Sequence, residues 1–151
     1  MPNGQFSYQE STMTMTVDKV LYIGQADTTG SRNGASRSSD GRLDIKLSSP
    51  GAPGNGANPE RMFAAGCSAC FMDAMGVAAA KMKTRLPADA AIDAEVDLCD
   101  TGGEYFLQAC LNVSLLGVER EVDQALVDAA HQTCPYSKAT RGNIDVAINV
   151  V

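Results

Sequence analysis

Apolar and polar residues alternate over four stretches of the chain, and each alternation predicts a strand with one buried face. Leu43, Ile45 and Leu47 point one way, while Arg42, Asp44 and Lys46 point the other. Ile92, Ala94, Val96 and Leu98 alternate with Asp93, Glu95 and Asp97. Beyond an Asp100-Thr101-Gly102-Gly103 turn, Tyr105, Leu107, Ala109, Leu111, Val113 and Leu115 form the apolar face of a return strand. Ile144, Val146, Ile148 and Val150 give a last strand. An additional strand is predicted over Val17–Ala26 from its β-branched and aromatic content. The Gly-, Ser-, Asn- and Arg-rich run Thr28–Asp40 reads as a loop or a loose hairpin, and Ser48–Asn58 as Gly, Pro and Asn punctuation.

Two helices stand between these strands. The first has a marked start: Asn58 suits the N-cap, Pro59 the first helical position, and Glu60 the positive end of the helix dipole. From Met62 to Met82 the chain is mostly Ala, Met, Phe, Cys and Gly, with apolar residues on nearly every face. A helix apolar all round must be covered all round. A chain of 151 residues can hardly do that alone, so a second subunit is expected to cover part of it. The second helix carries a stripe of Val118, Val122, Ala125, Leu126 and Ala129 and ends near Thr133, ahead of Pro135. The order β-β-α-β-β-α-β predicts an α+β domain with largely antiparallel pairing.

Composition narrows the function. Apolar residues make up 44% and charged residues 20%, as in ordinary globular proteins. A net charge of −6 without any dense basic run argues against a nucleic-acid surface. No apolar run approaches the roughly 18 residues of a membrane span, and Met1–Gln25 lacks the build of a secretory signal. A cytoplasmic location without membrane attachment is therefore expected. Residues 1–15 are polar and aperiodic and read as a flexible extension, with one domain over residues 16–151.

Five cysteines, Cys67, Cys70, Cys99, Cys110 and Cys134, are an odd count and do not suggest a structural disulfide framework. Cys67 and Cys70 form a CxxC, a spacing that serves redox chemistry, half a metal site, or simple packing of small apolar side chains. A tetrahedral zinc site is conceivable from Cys67, Cys70, His131 and Cys134, which leaves a non-catalytic thiol or zinc-binding module as the alternative to redox work. Cys134 lies at a helix end before Pro135, where a loosened turn would let a thiol move. Cys99 and Cys110 flank the hairpin turn and read as structural or incidental.

Three segments together resemble the organic hydroperoxide resistance family within the OsmC superfamily. Asn58-Pro59-Glu60, Phe63-Ala64-Ala65-Gly66 and Ser68-Ala69-Cys70-Phe71 resemble its reactive-cysteine segment. Cys134-Pro135-Tyr136-Ser137-Lys138-Ala139-Thr140-Arg141-Gly142-Asn143-Ile144 resembles its resolving-cysteine segment. Thr29-Gly30-Ser31-Arg32-Asn33-Gly34 and Ser38-Ser39-Asp40-Gly41 resemble its N-terminal motif. The likeness runs from about Val20 to Val151. It implies an intertwined homodimer with active sites at the subunit interface, acting on organic and fatty-acid-derived hydroperoxides. It implies Cys70 as the peroxidatic thiol, Cys134 as the resolving thiol, and Arg32, paired to Glu60, as the group that activates Cys70. No bound cofactor is implied, since electrons come from an external dithiol, chiefly a lipoylated protein. Cys67 departs from the pattern, because the family usually carries an aromatic residue there.

The chemistry asks for these residue types. A free thiol ionises near ~8.5, and burial in an apolar helix would raise that further. A fixed cation beside Cys70 is needed, and Arg supplies one with a planar fork. Glu60 precedes Cys70 by ten positions, about 15 Å along a straight helix. Either the helix bends, most simply at Gly66, or Arg32 bridges the gap. Phe63, Phe71 and Met75 are either substrate-side apolar contacts or core. His131 reads as a helix-end residue near Cys134.

Overall fold

The computed structural model describes residues 15–151. The extension expected over residues 1–15 thus lies outside the described residues except for Met15. Two three-stranded sheets and three helices follow in the order β1 (Asp27–Thr29), β2 (Ala35–Arg37), β3 (Asp44–Lys46), α1 (Pro59–Lys81), β4 (Ala91–Thr101), β5 (Glu104–Ser114), α2 (Arg120–Thr133), α3 (Pro135–Thr140) and β6 (Val146–Val150). The α+β class expected from the sequence is what forms.

The central hairpin follows its pattern. Ile92 pairs with Val113, Ala94 with Leu111, Val96 with Ala109 and Leu98 with Leu107, so apolar meets apolar across one face. Gly102 and Gly103 both have positive φ, 64° and 87°, as a two-residue turn between right-twisted strands requires. β6 joins the other edge of β5 in parallel, which makes this sheet mixed. The small sheet β1-β2-β3 is antiparallel throughout.

The first predicted strand is misplaced. Val17–Ala26 forms no strand, and the first one is the short β1 at Asp27. Val17, Leu21, Tyr22 and Ile23 are instead 69–86% exposed. Strand propensity works only through a neighbouring edge, and among the described residues this chain offers that segment none. The stretch expected to be a loop or a loose hairpin forms the hairpin, β1 pairing antiparallel with β2, pinned by a 2.9 Å bond between the Thr28 and Ser36 hydroxyls.

The start of α1 forms as expected, with the Asn58 side chain accepting from the Arg61 N–H at 2.8 Å. Its core stripe is Cys67, Phe71, Ala74, Met75 and Ala78, packed on Leu111 and Val113 of β5 and on Leu126, Val127 and Ala130 of α2. Val77 and Met82, outside that stripe, remain 47% and 44% exposed. With a mean hydropathy of 1.5 over 18 residues, α1 is long and apolar enough by composition to cross a membrane, contrary to the expectation that no segment comes close. Asp73 interrupts the apolar run without lowering its average enough. The stripe buried against β5 and α2 is the arrangement of a core helix.

Phe71 is fully buried at the centre of this packing. Phe71→Ala should destabilise the fold by about 3–5 kcal/mol, through lost burial and the cavity left behind. A urea denaturation midpoint unchanged by the substitution would contradict this packing.

Candidate active site

The path of the chain after α2 builds the site. α2 stops at Thr133 because Pro135 cannot continue it, and Pro135 then occupies the first turn of α3. His131 Nδ1 lies 3.1 Å from Ser137 Oγ, tying the end of α2 to α3. Arg141 donates to the His131 carbonyl and closes the same corner. Cys134 is fully buried at the junction.

α3 crosses α1 at the CxxC. A Cβ on Gly66 would sit 2.6 Å from Tyr136 Oη, so glycine at 66 admits the Tyr136 side chain. The Phe63 and Tyr136 rings meet edge to face with centroids 5.8 Å apart. That is the reason for Gly66. α1 runs unbroken across it from Pro59 to Lys81.

The crossing brings Cys70 and Cys134 together. The Cys134 thiol donates to Cys70 Sγ at 3.5 Å, although 64 residues separate them. Both are reduced. A disulfide needs an S–S separation of about 2.05 Å, so a modest shift of two side chains would join them. Burial pushes the Cys70 thiol up from its ordinary value, the Tyr136 backbone N–H opposes that, and Cys134 adds to the rise. Tyr136 escaped the reading of the sequence, although Pro135 immediately after Cys134 was a signal that a new helical turn would present its N–H groups there.

Arg32 and Glu60 pair as expected, and among the described residues they pair only with each other. Arg32 Nη1 and Nη2 donate to Glu60 Oε2 and Oε1 at 3.0 and 2.8 Å, a bidentate fork. Arg32 sits in a short turn, Ser31–Asn33, between Gly30 and Gly34. A Cβ on Gly34 would collide with the Thr29 carbonyl, so this turn requires glycine there. In this arrangement Arg32 makes no bond to Cys70 and is not among the groups that shift it. The Arg32 hydrogen bonds hold the Glu60 carboxyl below the usual carboxylate range. A depressed carboxyl pKa contributes stability above the unfolded value of ~4.3 and loses it as pH falls through the folded value. The stability difference between the protein and Glu60→Gln should therefore be full at neutral pH and close on acidification. Thermal unfolding of both across that range checks this, and a gap that widens in acid would contradict the pairing.

A cavity of about 300 Å3 adjoins the ion pair, walled by Arg32, Glu60, Phe63, Leu98, Tyr105 and Phe106. Of the three apolar residues weighed as substrate contacts, only Phe63 borders it. Phe71 and Met75 are completely buried and belong to the core.

The four residues of the conceivable zinc site are not assembled. Among the described residues no group of three or more His, Cys, Asp or Glu side chains is placed to hold a metal ion, and His131 is turned toward Ser137. Cys110 lies on the other face of the hairpin sheet beside Asn112 and Asn149, and Cys99 near the hairpin tip, both apart from Cys70.

Comparison with known proteins agrees with this geometry. The OsmC-like protein family model matches residues 51–149. The organic hydroperoxide resistance protein of Xanthomonas axonopodis pv. citri is 47% identical over 137 residues, covering 88% of this chain and 96% of its own. Among solved structures, the organic hydroperoxide resistance protein OhrB of Bacillus subtilis superposes with a TM-score of 0.82 at 37% identity, covering 87% of this chain and 100% of its own. The organic hydroperoxide resistance protein OsmC of Legionella pneumophila gives a TM-score of 0.82 at 39% identity, covering 87% and 98%.

Proposed function

The chain belongs to the organic hydroperoxide resistance family of OsmC-like proteins, and on that premise we propose that it is a thiol-dependent peroxidase in which Cys70 attacks an organic hydroperoxide and Cys134 resolves the product. The observation that carries the reading is the 3.5 Å approach of the two sulfurs, held by two helices and a proline-defined junction.

The cycle has three steps. Cys70 thiolate attacks the terminal oxygen of the hydroperoxide, the O–O bond breaks, and the alkoxide leaves as an alcohol after taking a proton. Cys70 becomes a sulfenic acid. The Cys134 thiol then attacks that sulfur, forming a disulfide and releasing water. An external dithiol, such as a lipoylated protein, reduces the disulfide by exchange. No bound cofactor takes part.

With Arg32 locked on Glu60, the partly buried Cys70 thiol has no cation beside it to favour the thiolate. Activation needs Arg32 to reach along α1 toward the sulfur, and its glycine-flanked turn supplies the freedom. The apolar wall of the adjoining cavity suits an alkyl chain better than hydrogen peroxide, and the nearby guanidinium suits the polar peroxide head.

The open faces fit a homodimer. The exposed segment Val17–Ile23, the hairpin tip at Leu98, Tyr105 and Phe106, and Val77 of α1 are apolar surface that a second copy would cover.

Steady-state assays with tert-butyl hydroperoxide and with hydrogen peroxide, driven by dihydrolipoamide or by thioredoxin, test the reading. Preferred turnover of the organic substrate with dihydrolipoamide is the expected result. Absence of turnover with either donor would remove the peroxidase reading.

A further inference from the structure

Cys70 and Cys134 meet where α3 crosses α1, and a third cysteine, which the cycle above does not use, is buried in the same core cluster. Cys67 is 5% exposed and lies one helical turn before Cys70. It sits on the face of α1 that α3 covers: Phe63 and Gly66 meet Tyr136 on one side of it, and Cys70 meets Cys134 on the other. Burial pushes the Cys67 thiol up, and Cys134 and then Cys70 act on it in the same direction.

We propose that Cys67 is a third redox thiol, which takes Cys134 over from the Cys70–Cys134 disulfide and closes a second, buried Cys67–Cys134 disulfide. This rests on the peroxidase reading for its source of disulfide. The Cys67 thiolate attacks Cys134 Sγ, the Cys67–Cys134 bond forms as the Cys70–Cys134 bond breaks, and Cys70 leaves as the thiolate and regains a proton. No net oxidation accompanies the exchange. Cys70 is the better leaving group, because its sulfur is the less buried of the two. A direct Cys67–Cys70 disulfide would strain a regular helix, whereas Cys134 lies outside α1 and can serve either partner.

The two disulfides differ in access. Cys70 is only partly buried, while Cys134 is 0% and Cys67 5% exposed. Exchange therefore withdraws the oxidised pair from an external dithiol and sets Cys70 free. Reduction must then wait for Cys70 to take Cys134 back.

The test oxidises the protein in two ways, with one equivalent of tert-butyl hydroperoxide and with diamide, a thiol oxidant that needs no peroxidase activity. Samples are acid-quenched at intervals, alkylated, and mapped by tandem mass spectrometry without reduction. The expected result is a Cys134-linked peptide whose alkyl label moves from Cys67 to Cys70 with time, faster at higher pH. Reduction of the aged sample by dihydrolipoamide should show a slow phase that Cys67→Ala loses. A label that stays on Cys67 in both arms would overturn the proposal and leave the peroxidase reading standing. Exchange with diamide but no oxidation by the hydroperoxide would keep the relay and sink the peroxidase reading. No Cys134 disulfide in either arm would overturn both.

Discussion

Cys70→Ser is expected to reduce organic hydroperoxide turnover to the uncatalysed background, a loss of about 10⁴-fold or more. The hydroxyl of serine keeps the size of the side chain but is neither acidic nor polarisable enough to attack the O–O bond at neutral pH. Since Cys70 packs at the edge of the core, the substitution should leave unfolding nearly unchanged. Cys134→Ser should behave differently. It spares the first attack, so one equivalent of hydroperoxide is still consumed rapidly, but turnover with dihydrolipoamide then stalls at the sulfenic acid. Stopped-flow peroxide consumption beside steady-state turnover separates the two. Equal loss of the first, rapid phase in both variants would mean that Cys134 does more than resolve.

Arg32→Ala is the second large effect. The Cys70 thiol is pushed up by burial and by Cys134, and the Tyr136 N–H is what opposes that. Without a mobile cation the thiolate fraction at neutral pH stays small. Removing one electrostatic stabiliser of this kind costs about 10²–10³-fold in rate. The sign of the pH response follows. A raised thiol pKa means the thiolate gains with rising pH, so the variant should recover activity in alkali while the parent protein changes less. Arg32→Lys should fall between, since lysine keeps the charge but loses the fork that Glu60 holds. An Arg32→Ala rate that keeps the parent's pH profile would show that another group activates Cys70.

The legible parts of the sequence were those with local causes. Asn58-Pro59-Glu60 marked the start of α1, and the strict alternation on either side of Gly102-Gly103 fixed the β4–β5 register. The Cys70–Cys134 meeting was implied by family likeness. Nothing local in α1 or α2 encodes it, because the contact depends on how the α2–α3 corner folds back. Val17–Ala26 differs for the opposite reason: its residues favour a strand, but among the described residues no edge pairs with it. Gly66 has a neighbour that helix propensity does not show: the Tyr136 side chain arrives there from α3. Arg32 pairing with Glu60 was anticipated, but the side chain that holds Glu60 is for that reason turned to Glu60 and not to Cys70.

The central claim is that Cys70 is the atom that meets the peroxide. The most direct measurement is intact and peptide mass spectrometry of the Cys134→Ser protein, exposed to one equivalent of tert-butyl hydroperoxide and trapped with dimedone. A single dimedone adduct on Cys70 is the expected result. An adduct on Cys67 or Cys110 instead, or an unmodified Cys70 after the hydroperoxide has been consumed, would contradict it.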